Sequence, residues 1–329
     1  MNTCKVVKEL KGGSFSATRV IEFSDSERRV RKSVSSVENR EYGLVRWQSQ
    51  IRRMQHLHSV LPNHTPPILA MGVSGQDFFY EIPYYESSQN LYEYLSERGE
   101  REAVALFDEV KDLINIYSQT KYGEAVGSFS VFFSEEVMGR LINVDDQLEV
   151  AYSSGSINKE ELLHAQRLIS RVSPLLDKVM LEASSLPIAE SLTHGNFTLE
   201  NALYDHSTKS ILLIDPYSET YSESVLGDFS QLMQSSVSFY EEIVSGGEHG
   251  VPYLFEVAKN PQKTGVYYFG ECLRRCVAEL SPVDQKITNL FHAAQFVRMF
   301  PFKIDKTPRL AIYFLLYGLR IIEEEYTLC

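Results

Sequence analysis

Positive charge is scarce in this sequence. Its 329 residues carry 32 Lys and Arg against 44 Asp and Glu, a formal net charge of -12. Attraction to nucleic acid by counterion release needs clustered cations, so no nucleic-acid partner is expected. A neutral or cationic ligand is compatible with this balance. Cysteine is scarce as well: Cys4, Cys272, Cys276 and Cys329 are all there are. Cys272 and Cys276 stand one helical turn apart, yet no Cys/His cluster accompanies them, so the thiols read as ordinary reduced thiols of a cytoplasmic protein. Long apolar runs are missing. The most apolar one, LAIYFLLYGL at 310–319, is too short for a bilayer and runs into RIIEEE. It reads as a buried C-terminal helix, and no membrane span is expected. MNTCKVVKELKGG lacks the pattern of a secretory signal, and neither an internal repeat nor a low-complexity tract stands out.

What is present is an ordered change of period. CKVVKEL, TRVIEF and VRKSV alternate and are separated by KGGSFSA and SDSERR, which predicts a three-strand meander with a glycine-rich first turn. The next segment repeats apolar positions every three or four residues through Glu41, Leu44, Trp47, Ile51, Met54 and His58, one face of a helix, with Gly43 weakening its start. PILAMGVSGQDFFYEIPYY reads as a hairpin, and from Asn90 onward the pattern is mostly helical. VDDQLEVAYSSGSIN (144–158) reads as a loop or insertion. The helix after it carries a proline interruption. The expectation is an α+β chain of two lobes: 1–84, a small five-stranded antiparallel sheet with one helix, and 85–329, a larger helical lobe. The junction between them is a natural ligand cleft.

Four segments carry chemistry. In KGGSFSATRV the turn at Gly12, Gly13 and Ser14 lets backbone N–H groups approach a phosphate, although the same turn is also a plain hairpin. Lys32 lies on an alternating strand between Val30 and Val34, so it points into a cleft or a partner. A buried lysine needs a carboxylate; Glu41 is the best-placed candidate and Glu38 the next. LTHGNFTLENALYD and SILLIDPYSE flank the polar link HSTK, which predicts a hairpin that brings Asn201 near Asp215. Their oxygens are hard ligands suited to Mg²⁺, which takes few protein groups and leaves room for phosphate oxygens.

Together these segments resemble the protein-kinase-like fold, and within it the aminoglycoside phosphotransferase and choline-kinase-like family, whose loop reads H-G-D-x-x-x-x-N before a hairpin ending in I-D. Here the positions are His194, Gly195, Asn196, Asn201 and Ile214-Asp215. The resemblance implies ATP or GTP as donor and Mg²⁺ held by Asn201 and Asp215. It implies that Lys32 contacts the α/β-phosphates and pairs with Glu41, that the Gly12–Ser14 turn covers the phosphates, and that backbone near Glu81 to Tyr84, Glu81 and Ile82 among it, meets the adenine. It gives His194 a structural role and makes Asp228, in LGDFSQLMQS, the brace of the catalytic loop. Only thirteen positions separate Asp215 from Asp228, too few for a protein kinase's activation segment. A small-molecule hydroxyl acceptor is therefore expected: a sugar, an amino sugar or aminoglycoside, or an amino alcohol. A looser similarity to phosphotransferase-family proteins of bacterial capsule and surface-sugar gene clusters would favour a sugar or polyol.

One residue departs from the family pattern. Position 196 should hold the aspartate that accepts the hydroxyl proton, and Asn196 has no useful basicity. Four readings stay open at this point: a slowed kinase, a pseudokinase serving as a nucleotide- or partner-binding regulatory protein, an altered variant, and a kinase fold that transfers another part of ATP.

Overall fold

Period-two alternation builds the first sheet of the computed structural model, which describes residues 4–10, 16–35, 40–120, 129–186, 188–217, 223–247 and 249–327. For Arg40, Glu41 and Tyr42 it describes the helical backbone alone. Strands β1 (Cys4–Leu10), β2 (Ala17–Phe23) and β3 (Arg28–Ser35) form the expected meander. Helix α1 (Arg40–Val60) follows, then the hairpin β4 (Ala70–Ser74) and β5 (Asp77–Pro83). The sheet is antiparallel in the order β1-β2-β3-β5-β4. Val30 pairs with Ile82 and Lys32 with Tyr80 across β3 and β5, so all four point to one face. Helix α1 covers that face with Trp47, Ile51 and Met54. Gly43 belongs to this contact: a Cβ there would stand 2.9 Å from the Ser35 carbonyl oxygen, so the glycine that weakens the helix locally lets it reach the end of β3.

The chain leaves the first sheet through β6 (Ser88–Asn90), a short strand unforeseen in the sequence. It pairs with β7 (Ala202–Asp205), which pairs with β8 (Ser210–Leu213). The segment joining the lobes is thus fastened to the expected site hairpin through the Ser88–Asp205 and Asn90–Leu203 pairs. Asn90 also caps α2 (Leu91–Ser96), its side-chain oxygen accepting from the Glu93 N–H at 2.8 Å.

The rest is helical. Before the hairpin come α3 (Glu100–Ser118), α4 (Phe129–Phe133), α5 (Gly139–Leu141), α6 (Val144–Ser153) and α7 (Lys159–Ala183). After it come α8 (Val225–Ser236), α9 (Tyr240–Ser245), α10 (Val251–Lys259), α11 (Gly265–Ala278), α12 (Pro282–Val297), α13 (Phe300–Lys303) and α14 (Pro308–Thr327). Helices α8, α12 and α14 pack in succession through the centre of this lobe, with α7 on the far side of α14. The apolar run at 310–319 lies inside α14, and Leu310, Ile312, Phe314, Leu315, Leu316 and Leu319 are buried. Among the described residues no helix is long and apolar enough to cross a membrane.

Two expectations are corrected. The 144–158 segment is helical over 144–153, and only 154–158 is turn and loop: Val144, Leu148 and Ala151 recur every three or four residues and are buried along α6, a narrow stripe that the surrounding polar residues mask. Pro174 does not interrupt α7, which continues through it. That helix starts on a capping box in which Asn158 and Glu161 each accept from the other's backbone N–H, both at 2.9 Å.

Candidate active site

Residues 192–201 run between the core of the helical lobe and the cleft. His194, Gly195, Phe197 and Leu199 are buried, while Asn196, Thr198 and Glu200 are half-buried. From Gly195 on, the alternation sends odd positions into the core and turns Asn196 toward the opening. Two bonds close the far end of the loop: Asn201 donates its N–H to the Thr198 carbonyl at 3.0 Å, and Ile214 donates to the Asn201 carbonyl at 2.9 Å.

Helix α8 holds the loop from beneath. Asp228 accepts from the N–H of His194 at 2.7 Å, from the N–H of Gly195 at 2.8 Å, and from the Tyr117 hydroxyl at 2.7 Å. Its target on residue 194 is the backbone, not the imidazole. One turn on, Gln231 accepts from the Phe197 N–H at 2.5 Å and donates to the Gly195 carbonyl at 3.0 Å. Another turn on, the Ser235 hydroxyl accepts from the Leu199 N–H at 3.1 Å. Positions 228, 231 and 235 share one helical face, so a single stripe satisfies four backbone N–H groups that would otherwise be orphaned in the core. Burial pushes the Asp228 carboxyl up to about 6, partly offset by its three donors.

His194 is fully buried, and burial drives its imidazole down to about 3. Its Nε2 lies 2.9 Å from the Ile214 carbonyl oxygen. A carbonyl only accepts, so Nε2 carries the proton. His194 is thereby occupied as a structural donor and is no substitute for a missing base. Gly195 has a left-handed backbone, φ +73°. A Cβ there would come 1.7 Å from the Tyr217 carbonyl oxygen, while the Tyr217 N–H donates to the His194 carbonyl at 2.9 Å.

Above the loop, Lys32 Nζ lies 2.7 Å from Asp215 Oδ1, and the Tyr80 hydroxyl donates to the same oxygen at 3.2 Å. Burial works to raise the Asp215 carboxyl, but Lys32, Tyr80 and Arg46 prevail and hold it below the usual carboxylate range. Asp215 itself has a left-handed backbone, φ +53°, a strained conformation for a residue with a Cβ. The Asn196 amide nitrogen donates to the Asp215 carbonyl at 3.1 Å, and the Asn201 amide nitrogen donates to the Asn196 carbonyl at 2.8 Å. Lys32, Asn196, Asn201 and Asp215 thus converge, as the spacing of the motifs predicts.

Other expected members are placed differently. Lys32 meets Asp215 here, and the side chain of Glu41 lies outside the described residues, as do Glu38, Gly12, Gly13 and Ser14. Glu81 has its side chain and its carbonyl both taken up within the sheet. Alternation on β5 puts its side chain on the face opposite Lys32, where it is held by Arg29 at 3.2 Å and Arg31 at 2.5 Å. Its carbonyl accepts from the Leu69 N–H at 2.8 Å, so Glu81 braces the sheet. Ile82 is buried on the cleft-side face with Tyr80.

Sequence reasoning missed Arg53. This fully buried residue of α1 donates to the Thr193 carbonyl at 3.0 Å and forms a short ion pair with buried Glu223. Glu223 also accepts from the Thr193 hydroxyl at 2.7 Å. The helix that packs on the first sheet is therefore tied to the start of the 192–201 loop. Among the described residues no group of three or more His, Cys, Asp and Glu side chains could hold a metal ion, and Cys4, Cys272 and Cys276 are free thiols.

No family model matches the chain, and no curated protein matches it by sequence. Solved structures do match in shape. The apo form of a thermostable mutant of aminoglycoside phosphotransferase APH(4)-Ia is similar over 99% of this chain and 96% of its own, at 13% identity and a TM-score of 0.62. The gentamicin complex of APH(2")-IIa is similar over 98% and 91%, at 12% identity and 0.56. Glucosamine kinase with glucosamine, ADP and inorganic phosphate is similar over 97% and 93%, at 11% identity and 0.51. Nothing in these comparisons supports the looser similarity to capsule-cluster proteins. The chain has the two-lobed protein-kinase-like fold that aminoglycoside phosphotransferases and glucosamine kinase share.

Proposed function

We propose that this chain is an ATP- and Mg²⁺-dependent phosphotransferase that moves the γ-phosphoryl group to a hydroxyl of a small molecule: a sugar, an amino sugar or aminoglycoside, or an amino alcohol. The observation that carries this reading is the meeting of Lys32 and Asp215 at 2.7 Å directly above Asn196 and Asn201. Solved neighbours of the same shape hold AMP-PNP with hygromycin B, and ADP with glucosamine.

The donor set fits a magnesium ion. The Asn201 amide nitrogen is committed to the Asn196 carbonyl, which leaves its side-chain oxygen to face a cation, and Asp215 supplies a carboxylate. Two hard oxygens from the protein suit Mg²⁺, which keeps phosphate and water oxygens as the rest. Asn201 and Asp215 would hold the ion, and Mg²⁺ there would supply charge neutralisation for the phosphates. Lys32 would exchange Asp215 for the α/β-phosphates, and the phosphate-covering role that the resemblance gives the Gly12–Ser14 turn falls on residues outside those described. For the adenine the reading narrows, within the backbone near Glu81 to Tyr84 and its neighbour Tyr85, to the residues just after Ile82. The Tyr84 N–H donates to the Arg28 carbonyl at 3.4 Å, and the alternation of an antiparallel ladder then turns the Pro83 carbonyl away from β3. The Pro83 carbonyl and the Tyr85 N–H are the pair we assign to the base. The donor lies between the lobes, 1–84 and 85–329, and the acceptor hydroxyl lies against Asn196.

Asn196 can orient that hydroxyl without taking its proton. General-base help is worth roughly 10²–10⁴-fold, and phosphoryl transfer depends mainly on positioning and charge, so transfer is slow and not abolished. The same residue favours a second reading, a pseudokinase that binds nucleotide or a partner. Measured ATP consumption against a panel of sugars, amino sugars, aminoglycosides and amino alcohols separates the two. Transfer to a panel member, with Lys32→Met lower by roughly 10–100-fold for loss of a charged hydrogen bond, supports the phosphotransferase. Tight Mg·ATP binding without transfer to any acceptor supports the second reading. Absence of nucleotide binding overturns the phosphotransferase and the nucleotide-binding form of the second reading.

A further inference from the structure

We propose that Asn196 is a positioning residue, and that the loop is built around its amide. This rests on the phosphotransferase reading above and deepens it. Two side-chain bonds run in series: Asn201 Nδ2 to the Asn196 carbonyl at 2.8 Å, and Asn196 Nδ2 to the Asp215 carbonyl at 3.1 Å. Both groups assigned to Mg²⁺ are therefore tethered to residue 196, one through its backbone and one through its side chain.

The orientation of the amide follows from its partner. A backbone carbonyl only accepts, so the atom of Asn196 that faces it is the nitrogen. The tie also falls where it is needed. Asp215 holds a left-handed backbone at φ +53°, and its peptide sits between the Ile214 N–H bond to Asn201 and the Tyr217 N–H bond to His194, both 2.9 Å. Between those bonds His194 holds the Ile214 carbonyl and Asn196 holds the Asp215 carbonyl.

Aspartate has nearly the same shape and cannot make this contact. An ionised carboxylate has no proton to donate, so one of its oxygens would face the Asp215 carbonyl across about the same gap, acceptor against acceptor. The carboxylate turns away or the 215 peptide shifts. On this account Asn196→Asp does not restore a family enzyme; it unfastens the metal aspartate.

Two measurements on the full chain test this, with Asn196→Asp and Asn196→Ala beside the parent. The first is thermal unfolding without ligand. The expected order is parent, then Ala, then Asp lowest, because alanine removes a bond while aspartate adds a repulsion. The second is calorimetric binding of ATP with and without Mg²⁺. Asn196→Asp should weaken Mg·ATP by roughly tenfold, the worth of one well-placed hydrogen bond, and leave metal-free ATP unchanged. An Asn196→Asp chain that melts at or above the parent, or binds Mg·ATP as tightly, overturns the proposal. If the parent binds no Mg·ATP, the phosphotransferase reading fails, and the melting order alone decides whether the tie exists.

Discussion

Gly195 shows how little freedom a single position in the site has. Its φ of +73° and the 1.7 Å approach that a Cβ would make to the Tyr217 carbonyl oxygen leave no room for a side chain. Gly195→Ala should therefore separate residue 195 from residue 217 and break the adjoining His194–Tyr217 bond. A loss of roughly 2–4 kcal/mol of stability is expected, read by denaturant unfolding, with nucleotide binding lost in parallel. Residue by residue, the site was legible where a motif demands a side chain. Lys32, Asn201 and Asp215 stand together because strand alternation and hairpin geometry put them there. For Glu81 only backbone is expected to matter, and its carbonyl is taken by the Leu69 N–H, a pairing that no local pattern in the sequence reveals. Arg53 was not legible at all: its partners Thr193 and Glu223 lie 140 and 170 positions along the chain, and nothing local distinguishes it from the solvated arginines of an amphipathic helix.

At the scale of elements, α8 is less a core helix than a comb of hydrogen-bonding groups. Asp228, Gln231 and Ser235 recur at helical spacing, and each meets a backbone group of the loop. That stripe is visible in DFSQLMQS once the spacing is counted, yet only Asp228 was singled out, because polar residues on a helix are by default assigned to water. Gln231→Leu tests the comb. It fits the space and strands the Phe197 N–H and the Gly195 carbonyl in the core, so a loss of roughly 2–4 kcal/mol is expected in thermal or chemical unfolding. On the proposed phosphotransferase reading catalysis should fall further than acceptor binding, as a kcat effect at nearly constant KM, because what is displaced is Asn196, the residue assigned to the acceptor hydroxyl. Helix α6 teaches the converse. Three buried apolar residues suffice to dock it, and so thin a stripe is easily read as a loop.

The whole molecule carries a built-in response to acid. His194 and His292 are buried and neutral, each held near 3, and His292 shares a hydrogen bond with Ser238 at 2.8 Å. Unfolding frees both to take a proton at their ordinary value near 6.5. Stability from these two groups is present above that value and is lost as the pH falls below it. Asp228 acts in the other sense. Its folded value, about 6, lies above its unfolded one, so its contribution is fully present below about pH 4 and is lost as the pH rises through 6. Two imidazoles outweigh one carboxyl, and the net loss from pH 7 to pH 5 is on the order of 3 kcal/mol. Thermal unfolding across that range should show the melting temperature falling steadily. Leucine or phenylalanine at 292 should flatten the slope if the variant folds, since the second imidazole is then gone.

The Arg53–Glu223–Thr193 junction has a consequence for how ligands sense each other. It joins the helix behind the first sheet to Thr193, near the start of the 192–201 loop, so on the proposed reading the nucleotide half and the acceptor half of the cleft would bias one another. Coupling of that kind is reciprocal by thermodynamic necessity. Whatever factor a bound nucleotide adds to the affinity for the acceptor, the acceptor returns in equal measure to the nucleotide, and a substrate too small to close the cleft would be felt first as weakened ATP.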